Sequence, residues 1–222
     1  MARNSKQKAD DPPGTAGLLQ TFGATLLALI VGATCILQAT DGGRALTTET
    51  LRRSEVARRP QSVPDLALRD GAGHETRLQK LLASGGKVWI VDFIYTRCET
   101  VCSALGATFQ RLQRELLDRG LEQRVGLLSI SFDPANDDKA ALRAYAARMN
   151  TDPSAWQVVT LASAADRKAL LDAFGIMVIP AELGEFEHNA AFHIVDRRAR
   201  LVRIVDYSSI GGVLDSALAW NP

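Results

Sequence analysis

Cys98 and Cys102 are the residues best suited to chemistry. They stand in VDFIYTRCETVCSALG, residues 91–106, with three residues between them. The chain has three cysteines, and the third, Cys35, lies far upstream in an apolar run. A disulfide closing so short a loop restrains little of the unfolded chain, so a stabilising staple is a weak explanation for the pair. Thr96-Arg97-Cys98-Glu99 fits a capping box, with Thr96 as N-cap and Glu99 at the third helical position. That predicts Cys98 in the first helical turn, where free amide N–H groups and the helix dipole favour a thiolate. Cys102 then follows one turn later on the same face. Two sulfurs so placed can bind one soft metal or close a reversible disulfide.

A third ligand separates those uses. The chain has three histidines: His74, His188 and His193. His74 falls in a hairpin turn and reads as a solvated loop residue. His188 falls in LGEFEHNAAF, a polar loop before a strand, and His193 falls inside that strand. They are five apart, so an extended chain points them to opposite faces and at most one is expected to face the cysteines. The loop position suits a ligand, because a histidine inside a strand is more often a core residue. An imidazole with two thiolates suits Cu(I) and is tolerable for zinc.

Three carboxylates also need a role. Asp92 sits inside an apolar strand, where a buried acid needs a partner or a proton. Near a reactive thiol it can carry protons; otherwise it faces a polar rim. Asp133 and Asp137 lie in SISFDPANDD, after a second apolar strand. Read alone, Asp133-Pro134 opens a turn, and Asn136 or Asp137 caps the next helix.

The elements that must position these residues follow from periodicity. VPDLALRDGAGHETRL reads as a hairpin. KVWIVDFIY and VGLLSISF read as buried strands. Between them Val101, Leu105, Thr108, Leu112 and Leu116 recur at helical spacing, and Arg119-Gly120 supplies a stop. DDKAALRAYAARM and ADRKALLDAFGI read as helices around the strand WQVVTLA. AAFHIVD and RLVRIVD read as a terminal hairpin, followed by the helix GVLDSALAW. Strand–helix alternation implies parallel neighbours with right-handed crossovers, and the hairpin adds antiparallel strands. The prediction is an α/β mixed sheet with helices on both faces. The C-terminal ends of parallel strands share one edge, so the Asp133 loop should lie near the cysteine loop.

Ahead of this domain, residues 16–39 carry no charged side chain. About 20 apolar residues suffice to span a bilayer as a helix. ILQATDGG is a poor cleavage site, so an uncleaved anchor is expected rather than a signal peptide. The expected organisation is a short tail over 1–15, a transmembrane anchor over 16–39, a linker over 40–62 and a domain over 63–222. Arg3, Lys6 and Lys8 precede the span, while Arg44, Arg52 and Arg53 follow it, so charge does not set the orientation. The net charge is +1, with 46% apolar and 23% charged residues, which gives no footprint for nucleic acid and ample material for a core.

FIYTRCETVC, SISFDPANDD and EHNAAFHIVD, in that order, resemble the Sco/SenC family. The resemblance covers roughly Val63 to Asp206. It implies a thioredoxin-like fold on a membrane anchor, and a copper-binding protein that assists assembly of the copper centre of cytochrome c oxidase. It implies a metal set of Cys98, Cys102 and His188, and it gives Asp133 and Asp137 the places of the family's DxxxD pattern. The implied partner is the copper-site subunit of the oxidase, and the implied site is the bacterial inner membrane, single-pass, with the domain in the periplasm. Asp10 and Asp11 argue against a mitochondrial presequence. Where the family usually carries prolines after its cysteines, this chain has Glu99 and Ser103. A carboxylate beside Cys98 disfavours its thiolate. The alternative activity is a thiol–disulfide reductase using Cys98, Cys102 and Asp92, acting on the copper-site cysteines or on other extracytoplasmic thiol proteins.

Overall fold

The computed structural model describes residues 15–39, 48–98, 101–181, 186–206 and 210–220. Its helices are α1 (Thr15–Ala39), α2 (Thr48–Arg58), α3 (Leu78–Ala83), α4 (Val101–Asp118), α5 (Lys139–Met149), α6 (Arg167–Phe174) and α7 (Ile210–Leu218). Its strands are β1 (Gln61–Ser62), β2 (Ala67–Asp70), β3 (Glu75–Arg77), β4 (Val88–Ile94), β5 (Val125–Ser131), β6 (Trp156–Leu161), β7 (Val178–Pro180), β8 (Phe186–His188), β9 (Ala191–Val195) and β10 (Arg200–Asp206).

Two units are distinguished, Met1–Leu51 and Arg52–Pro222. In the first, α1 holds a candidate membrane span by length and composition, Gly17–Gln38, with apolar side chains such as Leu19, Phe22 and Leu27 exposed around it. Thr21, Thr25 and Thr34 donate their hydroxyls to carbonyls one turn back, so these polar groups are satisfied within the helix.

The second unit is built on β4 and β5. VWIVDFI and VGLLSIS are buried at every position, as a parallel pair covered on both faces requires. They pair in register from Val88↔Val125 to Ile94↔Ser131. The eight-stranded sheet has the order β1-β10-β9-β4-β5-β6-β2-β3. β4, β5 and β6 are parallel; β9, β10, β1, β2 and β3 join antiparallel. The predicted mixed sheet is therefore present. One face carries Trp89, Val91 and Phe93 under side chains of α2, α3 and α6; the other carries Val88, Ile90 and Ile94 under α4, α5 and α7.

Local chemistry explains the boundaries. α4 buries Leu105, Phe109, Leu112 and Leu116 along one stripe. It stops where Gly120 takes a φ of +61°, a left-handed exit that suits glycine. Asp138, rather than Asn136 or Asp137, caps α5 by accepting from the amides of Ala140 and Ala141. Leu78 ends the first hairpin by entering α3, a short helix with no distinct sequence signal. The folded unit starts ahead of Val63: Val56 of α2 is buried in the core, and β1 extends the sheet beside β10.

Gly126 pairs with Trp89 across β4 and β5, and a Cβ there would lie 2.6 Å from the indole. Trp89 cannot swing aside easily, because its Nε1 donates to the Leu82 carbonyl at 3.0 Å. Gly126→Ala is expected to lower stability by about 1–3 kcal/mol, read as a shift of the denaturant midpoint at unchanged slope.

Candidate metal and thiol site

The chain leaves β4 at Ile94 and turns at once. The amide of Cys98 donates to the Tyr95 carbonyl at 3.1 Å, which closes a turn over Tyr95–Cys98. The described helix begins only at Val101. Cys98 therefore precedes α4, and the capping box is not formed. Thr96 is held instead by the loop that follows β5. Its hydroxyl donates to Asp137 Oδ1 at 2.6 Å and its amide to Oδ2 at 2.9 Å. The one-turn spacing of Cys98 and Cys102 on a helix face does not apply. Glu99 and the side chain of Cys102 lie outside the described residues.

Asp137 is fully buried and takes a third bond, from the Ser131 hydroxyl at 2.5 Å. It thus ties the cysteine turn to the end of β5. Arg148 of α5 adds a bond to the Thr96 carbonyl at 2.9 Å. Asp133 is 2% exposed and lies between two guanidiniums, Arg167 at 3.0 Å and Arg97 at 3.3 Å, with Asn136 donating at 2.8 Å. The two aspartates hold the turn from opposite ends of the same loop, and neither is an N-cap.

His188 is in β8, a strand paired with β7 through Val178↔His188. Its segment is thus a short hairpin arm, where the sequence predicts a loop. The imidazole is half-buried against Phe132 (5.4 Å between ring centroids) and Tyr95 (6.5 Å). Burial holds its pKa below the ordinary value, opposed by the Asn189 carbonyl and by the charge of nearby Cys98. Nδ1 lies 3.2 Å from that carbonyl; with the proton on Nδ1, Nε2 keeps its lone pair for a metal. Asn189 also pins the hairpin base, accepting from the Met177 amide at 2.8 Å and donating to the Gly175 carbonyl at 3.1 Å.

Cys98 is 5% exposed and packs in the core cluster that contains Tyr95 and Phe132, the two rings against His188. The structure therefore brings Cys98 and His188 to one place. His193 is on that same sheet face, in register with Ala191 and Val195, and is fully buried between the rings of Phe93 and Phe174. The expected opposition of the two histidines fails because Asn189 and Ala190 break the strand between them. His74 is exposed in the β2–β3 turn and contacts Asp70 at 3.0 Å.

Asp92 is fully buried, not at a rim. It lies on the α4 face of the sheet, with Ser129 beside it in register. Neither carboxylate oxygen gains a hydrogen bond of ordinary geometry among the described residues. Burial pushes its pKa from 3.8 up to about 7, and the nearby Ser129 hydroxyl and its own backbone relieve this only in part. Around His188 and Asp133, Tyr95, Phe132, Phe186 and Arg167 complete the site; none was singled out from the sequence, although Tyr95 and Phe132 stand inside FIYTRCETVC and SISFDPANDD. Tyr95 and Phe132 are each simply the aromatic residue beyond a buried strand.

The fold is a thioredoxin-like domain with a cysteine turn at the end of its central strand and a histidine hairpin beside it. The chain belongs to the SCO1/SenC family, whose description matches residues 58–219. A SCO1 protein homolog of Bacillus subtilis is 29% identical over 127 residues, 56% of this chain and 64% of that protein. Among solved structures, a SCO1/SenC family lipoprotein from Bacillus anthracis is 25% identical with a TM-score of 0.65, over 74% of this chain and 99% of that one. BsSco, described as a member of the Sco family of cytochrome c oxidase assembly proteins with a disulfide switch, is 23% identical with a TM-score of 0.63, over 73% and 95%. Yeast Sco1 with copper bound is 20% identical with a TM-score of 0.60, over 73% and 92%.

The folded pKa of Asp92 lies above its unfolded value, so its contribution to stability is complete below about pH 3.8 and is lost as pH rises through 7. The loss is on the order of 4 kcal/mol at most. Urea unfolding of the full chain in detergent at a series of pH values should show this fall, and Asp92→Asn should flatten it.

Proposed function

We propose that the protein carries one copper ion between Cys98, Cys102 and His188 and delivers it to the copper-site subunit of cytochrome c oxidase. The observation that carries this reading is the convergence of buried Cys98 with His188, an imidazole biased toward its neutral form. Soft thiolates with one neutral imidazole suit Cu(I). Family membership and the copper-bound yeast relative support the same cargo. Exchange with an external disulfide, which takes the two electrons and leaves as two thiols, would turn the thiolate pair into a disulfide and remove two ligands, coupling metal release to redox state. The apolar helix α1 would anchor the chain in a bacterial inner membrane, with the domain in the periplasm.

Anaerobic titration of the reduced full chain in detergent should show about one Cu(I) per chain under this three-ligand reading. The disulfide form should bind none. His188→Ala is expected to weaken binding by at least about tenfold, in line with removal of one ligand; unchanged affinity would remove His188 from the set.

A second reading is favoured by Asp92. A carboxyl group with a pKa near 7, inside the sheet that carries the cysteine turn, suits proton transfer during thiol–disulfide exchange. In that case Cys98 and Cys102 attack and resolve mixed disulfides, on the copper-site thiols or on other extracytoplasmic proteins. Asp92→Asn should then slow exchange with a model disulfide peptide by roughly 10²-fold while leaving Cu(I) affinity unchanged.

A further inference from the structure

Tyr95 touches both halves of the proposed ligand set. Its carbonyl accepts from the Cys98 amide at 3.1 Å, so its main chain belongs to the cysteine turn. Its hydroxyl reaches across to β8, donating to the Phe186 carbonyl at 3.2 Å and accepting from the Phe186 amide at 3.3 Å. Phe186 is two residues before His188 on the same short strand. Tyr95 is 1% exposed, with Phe186 edge-on at 5.3 Å, Phe132 at 5.7 Å and His188 at 6.5 Å.

The hairpin needs such a tie. β7 and β8 pair only with each other and do not join the main sheet. Among the described residues Asn189 bonds their base, and Val178 and Phe186 pack against the core, with Phe186 5.6 Å from Phe132. Met177 and Ile179, on the side away from the core, are 68% and 61% exposed. A phenol that satisfies both the N–H and the C=O of one residue does what a neighbouring strand would do for it.

We infer that the Tyr95 hydroxyl is a latch that holds the His188 hairpin against the cysteine turn, making Tyr95 a positioning residue for the third ligand. The inference rests on the copper reading for its consequence, but the latch itself exists without metal. With the latch closed, His188 is pre-organised and the metal is held by all three groups. With it open, the hairpin swings on its Asn189 base and takes the imidazole away, leaving the cargo on the cysteines for a recipient. The latch thus sets the dissociation rate more than the capture rate.

Tyr95→Phe deletes only the hydroxyl and keeps the ring. Hydrogen–deuterium exchange on the metal-free full chain in detergent should show amides of 177–188 exchanging about tenfold faster, the scale of one or two lost hydrogen bonds. Amides of β5 should be unchanged. Stopped-flow transfer of Cu(I) to a chelator should be faster by a similar factor. Unchanged hairpin exchange, or an equal rise in β5, overturns the latch. Faster hairpin exchange with unchanged Cu(I) release overturns its coupling to the ligand. If the unsubstituted protein binds no Cu(I), the copper reading fails, and the exchange measurement still decides the latch.

Discussion

Thr96 cannot leave Asp137 without stranding two buried donors, its own amide and its own hydroxyl, and the same carboxylate holds the hydroxyl of Ser131. Such donors cost about 1–3 kcal/mol each when left unpaired in the interior. This carboxylate, fully enclosed beyond the end of β5, is the fixed point from which the cysteine turn is hung. Everything functional is referred to it. Cys98 emerges two residues after Thr96, Arg148 closes on the Thr96 carbonyl, and Asp133 at the start of the same loop gathers Arg97 and Arg167. Among the described residues the cysteine turn is thus held through Asp137, Arg148 and Asp133, and the histidine hairpin is bonded to Tyr95 and Asn189.

The architecture was legible because its strongest signals are periodic. β4 and β5 are continuous apolar runs, α4 has a clean stripe ending at Gly120, and the β9–β10 hairpin is written as two similar segments. Less was legible where an element owes its existence to a partner far away in sequence. α3 is six residues long and is made stable by burying Leu78, Leu81 and Leu82 rather than by any cap. β7 and β8 are three residues each, too short for alternation to register.

The site shows the same division. Cysteine and histidine declare their chemistry by type, so Cys98 and His188 could be picked out from the chain alone, whereas Asp133 and Asp137 read alone as a turn and a helix cap and were marked only by the family resemblance. Their local settings could not. The helix start proposed at Thr96 failed because the Thr96 amide and hydroxyl both donate to a carboxylate 41 residues away, which holds Thr96–Cys98 in a turn ahead of α4. The histidine parity argument failed because it assumed one unbroken strand from His188 to His193. Tyr95, whose side chain bonds to a residue 91 positions on, offers no short-range pattern at all.

One detail of the β5 neighbourhood has an experimental use. The Ser129 hydroxyl oxygen accepts from the indole Nε1 of Trp156 at 2.9 Å, and Ser129 stands beside Asp92 in register. The indole is 1% exposed and rests edge-on to Phe109, shielded from solvent relaxation. A charge appearing on Asp92 therefore acts on a chromophore one hydroxyl away, in a medium that screens it poorly. Of the three tryptophans, Trp156 is the one whose indole bonds to the residue beside the buried acid, so its emission is the optical signal that ionisation of Asp92 should move.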